Sequence, residues 1–308
     1  MPRNGEDNGY KYDRVHLCGW PTDVLIIDDS NALNTPHTII LFIPGNPGVI
    51  HWYADSLLEI TKRLGRGYVV RGVSYAGHGV GDEIVGSKDD HDQSFHSENL
   101  GKKNEEDGHA RDMSVPWTME GQIQHKIKFV DYVIKDWGKS TSSNTPNLVF
   151  ISHSIGAHFV QSILLRRPDI LAKTQQVINL MPFWRFDPPP FKKVLLSSAA
   201  SFYQTAIPMM TKLTKAFSTL PRGWISLYLD KAHGINCSKG REIALDIFMH
   251  PNMVRNHLVL GLEEIRGKYC LFPVSFLVCS HISDLKTFFV LCTFNRTPRA
   301  SKCKRVHQ

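Results

Sequence analysis

The apolar run Leu148-Val149-Phe150-Ile151 stops abruptly at Ser152-His153-Ser154-Ile155-Gly156. Ser-x-Ser-x-Gly between a strand and a helix is how a nucleophilic serine is presented on a sharp turn. The positions two before and two after the nucleophile approach backbone closely, and small residues such as Ser152 and Gly156 meet that need. Ser154 is therefore the candidate nucleophile, with an ordinary turn serine as the alternative. Ser152 stands where the usual pattern has Gly. From Ala157 to Arg167 apolar residues recur at helical spacing, basic residues close the last turn, and Pro168 is a stop signal. Strand, elbow and helix thus follow in the required order.

Thr38-Ile39-Ile40-Leu41-Phe42-Ile43 is a continuous apolar, β-branched run that reads as a strand buried on both faces, and it leads into Pro44-Gly45-Asn46-Pro47-Gly48. By itself that loop is a tight turn. Paired with the elbow, it is where an acyl-transfer enzyme of this layout holds one N–H of its oxyanion hole, Gly45 and Gly48 letting the backbone aim its donors. The backbone amides of Asn46 and Ile155 are the expected donors, Ile155 because it directly follows the nucleophile.

Four blocks taken together resemble one family. Ile43-Pro44-Gly45-Asn46-Pro47-Gly48, Tyr75-Ala76-Gly77-His78-Gly79, Gly121-Gln122-Ile123-Gln124-His125-Lys126 and His153-Ser154-Ile155-Gly156 stand in the order seen in lipid droplet-associated hydrolases, within residues 38–182. The resemblance implies an α/β-hydrolase fold and a serine esterase or lipase-like activity on a lipid ester, sterol ester or acylglycerol. It also implies a protein of lipid storage, docked on the lipid droplet surface and shared with the cytosol or endoplasmic reticulum. Within these blocks His153 is read as shaping the site floor, His78 as a structural loop residue and His125 as a packing or hydrogen-bonding residue.

A serine nucleophile needs a base and an orienting carboxylate, which in this fold follow it in the order acid, then His. Past about Arg266 the family pattern stops. Residues 273–284 could form a strand ending in Asp284, with His307 downstream, and these two are the chain-order candidates for acid and base. The competing reading is an incomplete triad on a catalytically impaired scaffold that serves as a droplet-surface or interaction protein.

These residues need an alternating α/β frame to position them. Val24–Ile27, Thr38–Ile43, Tyr68–Ser74, Leu148–Ile151 and Gln176–Met181 read as strands. Trp52–Leu64 and the pattern Ile123, Ile127, Val130, Val133, Ile134 read as helices, which predicts a mostly parallel sheet. Residues 1–182 form the N-terminal part of the core, with a polar, aperiodic and mobile insertion over 81–115. Residues 183–265, which include the break at Pro188-Pro189-Pro190, read as a helical cap or lipid-facing insertion, and 266–308 as a divergent C-terminal segment with a basic tail. The apolar set Phe202, Ile207, Met209, Met210, Leu213, Phe217, Trp224, Leu227 and Tyr228 either packs on the sheet or faces lipid beside Lys212 and Lys215.

Composition narrows the classes further. The N-terminus is too polar for a signal peptide and no apolar run is long enough to cross a bilayer, so synthesis in the cytosol and peripheral membrane attachment are expected. The six cysteines include no Cys-x-x-Cys pair and no His at ligand spacing, so neither a disulfide scaffold, a metal nor another cofactor is expected. The net charge of +7 gathers partly in the C-terminal tail, and no nucleic-acid-binding motif accompanies it, so nucleic acid is not expected as a partner.

Overall fold

The apolar runs become the centre of a seven-stranded sheet. The computed structural model describes residues 9–28, 38–65, 67–78, 118–140, 146–182, 202, 206–233, 238–248, 251–266 and 286–290. The strands β1 (Lys11–Leu17), β2 (Trp20–Ile27), β3 (Thr38–Ile43), β4 (Tyr68–Val73), β5 (Asn147–His153), β6 (Thr174–Leu180) and β7 (Lys286–Val290) lie in the order β1-β2-β4-β3-β5-β6-β7. β1 and β2 form an antiparallel hairpin, β2 joins β4 antiparallel, and every pair from β4 to β7 is parallel.

β3 shows why its run is unbroken. Ile39, Leu41 and Ile43 pack with Phe129 and Val130 of α2 (Met119–Ser140) and Phe159 and Val160 of α3 (Gly156–Arg166). On the other face Ile40 and Phe42 pack with Leu57 of α1 (Ala54–Leu64). Alternate side chains of one strand thus serve two cores, and a polar residue on either face would lose its water without gaining a partner. A short 3-10 helix, Ile50–Tyr53, leads from the β3 loop into α1, so the helix expected from Trp52 begins as a tighter turn.

β1 went unread in the sequence. Its pattern KYDRVHL leaves four of seven residues exposed at the sheet edge, so it lacks an apolar stripe. The expected mobile insertion over 81–115 and the expected strand over 273–284 lie outside the described residues. The described residues of the region read as a cap contain α5 (206–217), α6 (Arg222–His233), α7 (Ser238–Ile243), a π-helical turn (Ala244–Phe248) and α8 (Pro251–Arg266). α4 (Pro168–Leu171) links α3 to β6.

The expected apolar set divides between these helices. Ile207 packs with Val259 and Leu262 of α8, whose Leu260 enters the main core. Phe202, Met209, Met210, Leu213, Phe217, Trp224, Leu227 and Tyr228 are exposed, Trp224 at 72% and Leu227 at 60%. So α8 packs as part of the core, and α5 and α6 carry the outward apolar surface.

Candidate active site

The carboxyl ends of the parallel strands share one edge of the sheet, and the loops that leave them meet there. Ile43 pairs with Ser152, Ser152 with Asn179 and His153 with Leu180, so the β3 loop, the β5 turn and the end of β6 stand level. Ligand sites of α/β sheets form at this edge.

Ser154 has a φ of 50° on the two-residue turn between β5 and α3. A non-glycine residue in the left-handed region costs roughly 1–3 kcal/mol and persists only where the surroundings enforce it. The enforcement is visible on both sides. The Ser154 amide donates to the Leu180 carbonyl at 3.0 Å, and the Ala157 amide to the Ser154 carbonyl at 3.1 Å. A Cβ on Gly156 would lie 2.5 Å from the Ile43 oxygen and 2.6 Å from the Pro44 oxygen, so α3 can start this close to β3 only with glycine. Ser152, at the position usually held by Gly, is fully buried and donates to Asn179 Oδ1 at 2.6 Å, which satisfies the extra hydroxyl.

The β3 loop is bound from several directions. The Gly48 amide donates to the Gly45 carbonyl at 2.6 Å across a turn whose Asn46–Pro47 peptide is cis. Gly48 has a φ of 76°, and a Cβ there would overlap the Tyr75 ring, whereas one on Gly45 would lie 2.6 Å from His153 Nδ1 and 2.9 Å from Ser154 Cβ. Tyr75 donates its hydroxyl to the Pro44 carbonyl at 2.6 Å and its amide to the Gly48 carbonyl at 2.8 Å. His78 Nδ1 bonds the Pro47 carbonyl, and His257 Nδ1 of α8 lies 2.8 Å from Asn46 Oδ1. Asn256, beside it on α8, donates to the Gly77 carbonyl at 3.0 Å. The amides of Asn46 and Ile155 make no hydrogen bond among the described residues.

The four sequence blocks behind the family resemblance therefore touch one another. His78 and Tyr75 hold the Gly45–Gly48 turn, and Gly45 packs on His153 and Ser154. Gln122 brackets Ala76, accepting from its amide at 3.2 Å and donating to its carbonyl at 3.1 Å. Lys126 is fully buried, with Nζ 3.0 Å from Gln122 Oε1, 3.0 Å from His125 Nδ1 and 4.3 Å above the Tyr75 ring. His125 Nε2 in turn lies 2.8 Å from Thr22 Oγ1. Burial pushes the Lys126 ammonium and the His125 imidazole well below their ordinary ranges, because either charged form loses its water.

His153 Nδ1 lies 3.0 Å from the Tyr53 hydroxyl. Burial lowers the His153 pKa and raises that of Tyr53, so both are neutral near pH 7, and the Gly45 amide partly offsets the burial of Tyr53. Tyr53, Tyr75, Asn256 and His257 were not singled out from sequence. Tyr75 was within reach, since it opens one of the matching blocks.

Asp284 and His307 lie outside the described residues. β7 begins at Lys286, and its parallel register sets Val290 beside Leu180, so the end of β7 on the elbow side is Val290. Among the described residues no three His, Cys, Asp or Glu side chains are placed to hold a metal ion.

Comparison with known proteins bears on the fold and the family. The solved structure of wild-type Cfl2 from Burkholderia cenocepacia superposes with a TM-score of 0.51 at 10% identity, covering 94% of this chain and 82% of that one, a likeness of fold alone. Lipid droplet-associated hydrolase from Pongo abelii is 29% identical over 161 residues, and that from Homo sapiens 28% over 158. Each match covers 51% of this chain and 41% of the relative. The chain thus spans about two-fifths of the length of these relatives. The family described as lipid-droplet associated hydrolase matches residues 36–267, three quarters of the sequence and every loop of the site described above. With its α/β-hydrolase fold, the chain belongs to that hydrolase family.

Proposed function

We propose that this protein is a serine ester hydrolase acting on lipid esters, sterol esters or acylglycerols, at the lipid droplet surface. One observation carries the reading: Ser154 is held at a left-handed φ on the β5–α3 turn, against the loop that bears the Asn46 amide. In this reading the Ser154 hydroxyl attacks the acyl carbonyl, and the amides of Asn46 and Ile155 receive the developing oxyanion. The alcohol departs and water then releases the acyl group from the serine. Asp284 and His307 are the chain-order candidates for acid and base.

A second reading is a catalytically impaired scaffold at the droplet surface. It is motivated by the family match, which stops at residue 267, ahead of both Asp284 and His307. A fluorophosphonate label separates the two, because covalent capture requires an activated serine. The first reading expects stoichiometric labelling of the folded protein at Ser154. A folded protein that resists the label supports the second.

Attachment to the droplet is assigned to α5 and α6. Met209, Met210, Leu213 and Phe217 recur at helical spacing on α5, and Trp224, Leu227 and Tyr228 on α6, with the Phe217 and Tyr228 rings 5.7 Å apart. Lys212, Lys215 and Lys231 are exposed on the same two helices. No helix among the described residues is long and apolar enough to cross a membrane, and such a surface suits shallow insertion beneath lipid headgroups. Met209→Asp, Trp224→Asp and Leu227→Asp together should turn droplet labelling by a fluorescent fusion into diffuse labelling in lipid-loaded cells, without lowering thermal stability. Unchanged droplet rings would remove these helices as the anchor.

A further inference from the structure

We infer that His78 is a positioning residue for the oxyanion amide of Asn46, acting through two peptide groups of the Gly45–Gly48 turn. The inference rests on the ester hydrolase reading and deepens it. His78 Nδ1 donates to the Pro47 carbonyl. The N–H of that same Pro47–Gly48 peptide donates to the Gly45 carbonyl at 2.6 Å. The N–H of the Gly45–Asn46 peptide is the Asn46 amide itself. A planar peptide whose oxygen accepts a strong hydrogen bond has its electrons drawn toward that oxygen, and its N–H becomes the better donor. Three donors therefore stand head to tail: the imidazole Nδ1–H, the Gly48 N–H and the Asn46 N–H. Proline has no N–H, so Pro47 adds no competing donor to the turn. The last amide, anti to a carbonyl that points into the turn, faces outward and makes no hydrogen bond among the described residues.

Two further observations favour this role over simple packing. The Pro47 carbonyl can only accept, so Nδ1 carries the proton, and the buried Nε2 has no hydrogen-bond partner among the described residues. An apolar side chain would fill the space without burying that unpaired nitrogen, so the cost is explained by the donor on the other side of the ring. Burial also holds the imidazole neutral down to about pH 3, helped by the nearby His257 and Lys126, so this tautomer persists through the physiological range.

The test compares His78→Leu, which removes the donor, with His78→Asn, whose Nδ2 can stand close to the place of Nδ1. Two readouts are taken on the full chain. One is the chemical shift of the Asn46 amide proton in protein labelled with 15N-asparagine, assigned by its disappearance in Asn46→Asp. The other is kcat and KM for p-nitrophenyl butyrate. In His78→Leu the amide proton should move upfield and kcat should fall on the order of tenfold with KM unchanged, a fraction of what losing an oxyanion donor outright costs. His78→Asn should restore both. An unmoved Asn46 resonance in folded His78→Leu, or a His78→Asn variant as impaired as His78→Leu, overturns the inference. If His78→Leu does not fold, His78→Asn decides alone: wild-type shift and turnover support the relay, and loss of either defeats it. Should the wild type neither hydrolyse the ester nor take a fluorophosphonate, the hydrolase reading falls while the amide shift still decides the relay.

Discussion

Ser154→Ala should abolish both fluorophosphonate capture and ester turnover, a loss on the order of a millionfold where a serine nucleophile carries the chemistry. Its unfolding midpoint should match the wild type. The hydroxyl makes no hydrogen bond among the described residues, whereas the turn is fixed by the Ser154 amide on Leu180 and by the absence of a side chain at Gly156. Ser154→Gly sharpens the test. Glycine adopts the 50° φ freely, so this variant should be equally inactive yet more stable by about 1 kcal/mol. Turnover that survives in purified Ser154→Ala would remove Ser154 as nucleophile. A Ser154→Gly protein no more stable than the wild type would show that the turn is not strained.

A steep loss of stability between pH 6.5 and 5 is the second large effect expected. Burial pushes the His158 imidazole down to about 4 and that of His78 to about 3, and His125, His153 and His257 shift the same way. In the unfolded chain these groups take up protons near pH 6.5. Below that value the unfolded state binds protons that the folded state refuses, so acidification favours unfolding. The stabilisation is complete above pH 6.5 and is lost as pH falls toward 4 for His158 and toward 3 for His78. By pH 5 each of these two should cost about 2 kcal/mol. Neither Asp169 nor Glu120 accounts for that window: Asp169 is held to about 2 by Arg167, and Arg166 lowers Glu120, so both titrate below it. Urea midpoints measured from pH 7.5 to 5 should fall monotonically, and His158→Phe should flatten part of the slope. A flat profile would mean that these imidazoles stay accessible to protons in the folded state.

The runs forming β3 and β5 were legible because strands buried on both faces leave no polar interruption. The elbow was legible because its steric demands fall on residues two apart. β1 was not, since an edge strand with charged outward positions resembles a loop. Nor could sequence reveal that Lys126 is fully buried: a lysine in an amphipathic helix ordinarily points to water, and here its ammonium is enclosed by Gln122, His125 and the Tyr75 ring. His257 and Asn46 are 211 residues apart, and no local spacing rule spans that distance. Asp284 and His307 were proposed from chain order alone. The β7 register directs attention to Val290 as the strand end level with the elbow, a relation fixed only by the pairing of β6 with β7.

The seat of α8 bears on how such proteins could be recombined. Its Asn256 and His257 hold the loops after β4 and β3, and Gly261, one turn further on, comes within 3.7 Å of Asn46 Nδ2 at its Cβ position. A chimera that took the helices following β6 from another hydrolase would exchange part of the clamp on the oxyanion turn along with the outer surface. The natural cut for a transplant therefore lies between α6 and α8, where the apolar exterior can be exchanged while the helix that grips the turn stays with its own sheet.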